Sequence, residues 1–457
     1  MDTIGTDYLV VGGGAMGMAF ADMLVTHSDA TIVLVDRRHA PGGHWVDAYP
    51  FVRLHMPSAF YGVDSVPLGG YGPDETEDDP TLLERATGEE IQTYYADVLG
   101  RLLGTGRVRW LPGTEYLGND RARSLDGDAE VDIRHRRLVD ATRMEGAIPA
   151  TSPPPFEVAD GATCIPVGDL PDAPEPPDGY VVVGAGKTGQ DAILWLLERG
   201  VAPDLIEWVR PREPWLQPRR SFQPGPGVVD TIDFFSRSVE AAAEAASPAE
   251  LFDRVEEYGG LHRIDPDAPA TVYRGALVSD RQLAELRRVD RVVRRGYVQR
   301  VEPDAIVFDD GRLRSTPGTL VVHCAAQGLA TRRTVPVFDG RQINLQPLRY
   351  GSVPFSASLT GFVEAHRDDD EAKNALCRPM PLTGGARDYL VQIATELDVG
   401  RRWAAEPDLS GWLDTTHLNL AGALPDHADD PRVAAARARV GAQAGRAMEH
   451  LRAWLAA

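Results

Sequence analysis

The chain has 457 residues, 43% apolar and 25% charged, which suits a folded globular protein long enough for two hydrophobic cores. A net charge of −21 excludes the broad basic face that nucleic acids and anionic membranes require, so neither is expected as a partner. No apolar run is long enough to span a bilayer, and the first such run leads directly into a glycine turn, which predicts a core strand rather than a signal peptide.

That first run, Tyr8-Leu9-Val10-Val11, is followed by Gly12-x-Gly14-x-x-Gly17 and a helix starting near Ala15 and Met16. In such a turn the first glycine permits the bend, the second admits a pyrophosphate, and the third lets helix pack on strand. The free N–H groups and positive dipole end of the helix then face the diphosphate. The next strand, Thr31 to Val35, ends at Asp36 and is followed by Arg37. A carboxylate there suits the ribose hydroxyls of an adenosine without a 2′-phosphate, as in FAD or NAD.

A long connection runs from Pro41 to Pro80, and its acidic, turn-rich stretch 72–80 reads as surface loop. A helix is expected from about Leu82 to Leu103, then strands at Val131–Ile133 and Arg137–Ala141. Prolines mark residues 151–178 as a linker.

The strand Val181-Val182-Val183 opens a second fingerprint, Gly184-x-Gly186-x-x-Gly189, with a helix over Gln190–Arg199 stopped by Gly200. Lys187 and Thr188 resemble a P-loop tail, but Val181 stands where that motif needs glycine. Lys187 therefore lies near the second diphosphate or in solvent. The following strand, Leu205 to Val209, ends at Arg210, with Arg212 two residues on. A guanidinium in place of the acid favours a 2′-phosphate, so this unit reads as an NADPH site; the other reading of both arginines is a solvated strand end. Two dinucleotide units in one chain imply hydride transfer between their ligands.

An Ala-rich helical insertion is expected over about 217–260, with Ser247-Pro248-Ala249-Glu250 as a helix start. Strands follow at Gly296–Val301 and Ala305–Phe308, meeting near Asp310-Gly311, and at Thr319–Cys324. Asp430-Pro431 opens a C-terminal helix with Val433, Val440, Ala444, Ala447, Leu451 and Leu455 on one face. Cys164, Cys324 and Cys377 form neither a C-x-x-C pair nor zinc spacing, so no redox disulfide and no metal site are expected, and a reducing cytoplasm is the expected compartment.

Gly42-Gly43-His44-Trp45 resembles the Gly-Gly-x-Trp segment of flavin-containing and Baeyer–Villiger monooxygenases, the class B flavoprotein monooxygenases. Tyr49-Pro50-Phe51-Val52-Arg53-Leu54-His55-Met56-Pro57-Ser58 resembles the segment that in Baeyer–Villiger enzymes runs beside the flavin. Val139-Asp140-Ala141-Thr142 and Val322-His323-Cys324-Ala325 resemble the strands that link the two domains of that superfamily. The resemblance implies an α/β fold with two Rossmann-like domains. Residues 1–150 and 329–457, the latter with C-terminal helices, would form a discontinuous FAD domain, and 179–328 an inserted NADP(H) domain. It also implies that NADPH reduces FAD and that dioxygen then oxygenates a small organic substrate through a peroxyflavin. The superfamily's Phe-x-Gly-x-x-x-His-x-x-x-Trp fingerprint is missing: Cys164–Leu170 has neither His nor Trp. A flavin reductase without oxygen transfer and a non-catalytic redox sensor thus remain as alternatives.

By the same resemblance His55 faces the flavin, where an imidazole titrating near neutrality could exchange protons or simply pack. Arg53 is a candidate for a phosphate or the charge of reduced flavin, or a surface ion pair. Gly43, His44 and Trp45 are candidates for cofactor contact, Trp45 with core packing as its other reading.

Overall fold

The computed structural model describes residues 2–127, 129–174, 176, 178–326, 328, 332–351 and 353–457. The boundary at 329 and part of the 151–178 linker therefore lie outside the described residues.

Strand β1 (Asp2–Val11) lies parallel to β2 (Ile32–Val35) on one side and to Glu130–Asp140 on the other. The sheet continues through β2 to Val108–Leu111, and through Glu130–Asp140 to Gln342–Asn344. The last pairing brings residues from beyond the second glycine turn into the first sheet. Helix α1 (Ala15–His27) is apolar nearly all round because it is covered twice, by the sheet and by the helix Val353–His366. Helix α2 (Gly88–Gly104) starts later than the sequence suggests. The Thr87 hydroxyl accepts from Glu90 N–H while the Glu90 carboxylate accepts from Thr87 N–H, a capping box that fixes the boundary. The two short strands expected at 131–141 are one, Glu130–Asp140.

The second sheet is parallel, in the order Cys164–Pro166, Leu320–His323, β3 (Tyr180–Val183), β4 (Ile206–Val209), Val292–Val293. Cys164–Pro166 thus corrects the expectation of an uninterrupted linker: an edge strand tolerates the proline that marked it as linker. Helix α3 (Lys187–Glu198) follows β3, and Gly200 at φ +85° ends it.

The insertion is longer than 217–260. Glu213–Pro218, His262–Arg263 and Ala270–Val278 form a small sheet under α4 (Val228–Glu244) and Pro248–Glu257. The short β-strands escaped notice because proline and arginine interrupt their alternation. Asp310-Gly311 joins Ala305–Phe308 to Gly311–Arg314, rather than to Val298–Glu302. Helix α5 (Pro431–Ala456), capped by Asp430, packs on α4 and Arg387–Ala404. The C-terminal helix therefore rests on the insertion, where Trp215, Phe252, Tyr389 and Leu451 share one core. Among the described residues no helix is long and apolar enough to cross a membrane.

Candidate functional site

The first glycine turn is closed by its own backbone. A Cβ on Gly17 would lie 1.9 Å from the Gly12 carbonyl oxygen, so helix and strand meet only without a side chain there. The loop at Gly42-Gly43 covers the turn: Gly42 N–H donates to Gly13 O at 2.9 Å, and a Cβ on Gly43 would lie 2.9 Å from Gly14 Cα. Ala15 and Met16 turn buried side chains to the core, so they can offer a ligand only N–H groups. The Asp36 carboxylate, at the tip of β2, accepts from Gly13 N–H at 2.6 Å and Arg38 N–H at 2.7 Å. It is therefore held rigidly at the turn. Arg37 points outward to Glu145 at 2.7 Å.

Trp45 is buried and donates its indole N–H to the Tyr61 hydroxyl at 2.8 Å, which favours the packing role over cofactor stacking. His44 is accessible and lies 4.8 Å from the Trp45 ring.

The second turn repeats the same steric rule, since a Cβ on Gly189 would sit 2.1 Å from Gly184 O. Gly184 adopts φ +134°. At Gly186 the two turns differ: a Cβ there would meet nothing within 4 Å, so the turn opens onto free space. Lys187 is not in solvent. It pairs with Asp191 one helical turn on, and the Tyr49 hydroxyl donates to the same carboxylate at 2.6 Å. The Tyr49 hydroxyl also interacts with Thr188. Phe51 stacks on Trp195 of α3 with centroids 5.3 Å apart. The segment 49–58 thus leaves the first unit and seats on the helix of the second glycine turn.

His55 lies in this segment. Burial, then the Lys187 charge, with Arg219 and Arg85 adding to it against Asp191, push its imidazole down to about 3. This corrects the expectation of a group titrating near neutrality. His55 is neutral at pH 7, and no hydrogen bond holds its ring among the described residues. Arg53 donates to the Arg85 carbonyl at 3.0 Å and bridges to Thr87, which ties it to the approach to α2.

Arg210 ends β4 but is buried, only 2% exposed, with its guanidinium 4.6 Å from the Trp208 ring. Burial pushes it down to about 10. Its Nε lies 3.3 Å from Glu213, yet Nε and Nη1 have no hydrogen-bond partner among the described residues. Arg294 takes the same Glu213 carboxylate at 2.7 Å. Arg212 is exposed, over the Tyr297 ring at 6.0 Å. Of the two arginines only Arg212 is exposed.

The stretch 72–80 is a mostly exposed loop, as its composition predicts, with two exceptions. Asp74 and Glu77 bury their side chains in an ionic cluster spanning the two units. Arg85 binds Asp74 at 2.6 Å, and Arg219 binds Glu77 at 2.5 Å. The hydroxyl of Ser279 donates to Glu77 at 2.5 Å, and Arg281 approaches it at 3.4 Å. A cleft of about 250 Å³ opens beside Glu77, Arg219 and Arg281. His323, which accepts from Ala325 N–H at 3.3 Å, is buried at the end of its strand. Asp191 went unread in the sequence, although Lys187 four residues before it on a helix is a recognisable pair.

A family model described as an NAD(P)-binding Rossmann-like domain matches residues 10–50. Solved structures share the fold. One crystal form of OTEMO in complex with FAD and NADP matches at TM-score 0.51 and 16% identity, covering 79% of this chain and 85% of that one. Another form of the same complex gives 0.50 at 14% identity, covering 79% and 83%. At the level of sequence, the chain belongs to the family of the uncharacterized proteins Rv2000 of Mycobacterium tuberculosis (strain H37Rv) and Mb2023 of Mycobacterium bovis. It is 45% identical to each over 434 residues, 94% of this chain and 81% of each relative.

Proposed function

We propose that this protein is an FAD-dependent, NADPH-using monooxygenase that inserts oxygen from dioxygen into a small organic substrate, by Baeyer–Villiger or heteroatom oxygenation. The observation that carries this reading is the pair of glycine turns, one on each of the two main sheets, joined by the segment 49–58. FAD supplies redox and oxygen-activating chemistry when bound, and NADPH supplies the hydride.

The residues present fit both groups. Gly12, Gly14 and Gly17 keep side chains away from the N-terminus of α1, where a diphosphate would lie, and Asp36 stands at the turn for ribose hydroxyls. Gly43 closes over that turn by backbone approach. Gly184, Gly186 and Gly189 leave the N-terminus of α3 bare beneath open space, with Lys187 and Thr188 in its first turn. The unpartnered guanidinium nitrogens of Arg210 and the exposed Arg212 suit a 2′-phosphate. His55 presents a neutral imidazole that can donate or accept one hydrogen bond, while Phe51 on Trp195 keeps water from the seam. Three free thiols, two of them buried, accord with a reducing cytoplasm.

The test is a stoichiometry on the purified holoprotein. Oxygen consumed with NADPH should be matched by oxygenated product across a panel of ketones, sulfides and amines. Oxygen uptake returned wholly as hydrogen peroxide with every substrate would refute oxygen transfer. A reductase of the same fold is the second reading. It is favoured by the short strand Cys164–Pro166 and the turn after it, which lack the superfamily's His and Trp.

A further inference from the structure

The contact between segment 49–58 and α3 is built from charged groups where apolar packing would have been cheaper, and that choice calls for a reason. Lys187 and Asp191 face each other across one turn of α3, with side chains 11% and 13% exposed. A buried pair of this kind costs desolvation on both sides and needs further hydrogen bonds to hold it. The Tyr49 hydroxyl supplies one, at 2.6 Å to the second carboxylate oxygen. The Asp191 carboxyl is buried, which by itself raises it, but the Lys187 charge and the hydrogen bonds from Lys187 and Tyr49 win and hold it below the usual carboxylate range. Lys187 also feels Arg85 and Arg219, whose own partners are Asp74 and Glu77, so Asp191 is the carboxylate that answers Lys187 itself. Asp191 is therefore the anion that lets Lys187 stay in the first turn of α3, beside the open space above Gly186.

We propose that Asp191 is a positioning residue. Holding Lys187 on one side and Tyr49 on the other, it fixes the segment that carries His55 against the second glycine turn. The two dinucleotide sites are thereby joined by the chain Tyr49–Asp191–Lys187, with the Phe51–Trp195 stack as its apolar flank. Coenzyme arriving at α3 then meets a lysine whose direction is set from the flavin-side segment, and the separation of the two rings depends on that link. The kinetic part of this inference rests on the proposed function; the structural part does not.

The full chain with bound flavin is compared as wild type, Tyr49→Phe, Asp191→Asn, Asp191→Glu and the double variant Tyr49→Phe/Asp191→Asn. In hydrogen exchange, amides of 49–58 should exchange faster in Tyr49→Phe and Asp191→Asn, while those of β1 stay unchanged. In stopped flow, saturating NADPH should reduce the flavin about tenfold more slowly in Asp191→Asn, the scale of one lost hydrogen bond to a charged group. Flavin content should hold, and Asp191→Glu should recover part of the rate. The double variant should be no slower than Asp191→Asn, because both changes cut one chain. Unchanged exchange in 49–58 overturns the proposal, and so do independent, multiplying effects in the double variant. If NADPH fails to reduce the wild-type flavin, the proposed function fails and the exchange data alone decide on the link.

Discussion

The two glycine turns follow one motif and are finished in different ways. At the first, Gly42-Gly43 lies across the turn, Asp36 takes the Gly13 N–H, and the second glycine of the motif already touches backbone. At the second, no atom of the described residues lies within 4 Å of where a Cβ on Gly186 would stand, and the nearby charge is held in check by Asp191. The first is built like a permanent seat and the second like a doorway. That difference suits a resident prosthetic group beside a coenzyme that must come and go, and it can be attacked directly.

The largest expected effect comes from filling each turn. Gly43→Val would set a Cβ 2.9 Å from Gly14 Cα, on a residue at φ +62°, so both flavin content and Tm should fall. Gly186→Val meets no protein atom near its Cβ, so Tm should hold while NADPH binding weakens beyond detection. Calorimetry and coenzyme titration on the two variants decide it; equal losses of Tm would erase the contrast.

Next in size is the ionic cluster that bolts the units together. Glu77→Gln would leave Arg85, Arg219 and Arg281 with one buried anion fewer, and removing one partner of a buried pair costs about 3–5 kcal/mol. Urea unfolding should show that loss with flavin content unchanged below the transition. A cost under about 1 kcal/mol, the level of a surface pair, would mean the cluster is solvated.

Coenzyme choice should respond more modestly. Arg210→Ala should raise the NADPH KM by about ten- to a hundredfold and the NADH KM far less, the scale of a lost charge-assisted contact. Equal changes for both coenzymes would show that Arg210 serves Trp208 and Glu213 instead.

The last effect is a slope, small at any one pH near neutrality. His55 in the folded protein, at about 3, lies below its ordinary 6.5, so between those values the unfolded chain binds the extra proton. Its contribution to stability is complete above pH 6.5 and is lost as pH falls toward 3. His55→Gln should flatten that part of the stability curve, read by urea unfolding at several pH values. Because His55 is neutral throughout, the same variant should leave the shape of the pH–activity profile near neutrality unaltered; a profile that changes there would restore a titrating role.

The reading of the fold was strongest where a rule of backbone geometry applies. Gly17 and Gly189 touch the carbonyls of Gly12 and Gly184, so nothing but glycine fits, and such a constraint shows in one sequence. The capped start of α5 and the strands β1 to β4 were legible for the same local reason. Asp74 and Glu77 were not, because an acidic, turn-rich stretch looks solvated until Arg85, Arg219 and Arg281 arrive from elsewhere in the chain. The same holds for the edge strand Cys164–Pro166, which gains its meaning only from pairing with Leu320–His323.

The sequence by itself determined the two glycine turns, the strands that lead into them and the acid and arginine that follow, since each rests on local sterics and hydrogen bonding. Tertiary structure alone decided that residues 342–344 return to the first sheet, that α5 rests on the insertion, and that His55 stays neutral between Lys187, Arg219, Arg85 and Asp191. Those outcomes depend on which distant charges and faces are brought within a few ångströms. A proton's affinity for an imidazole is set by that surrounding field and its loss of water, and neither is written at position 55.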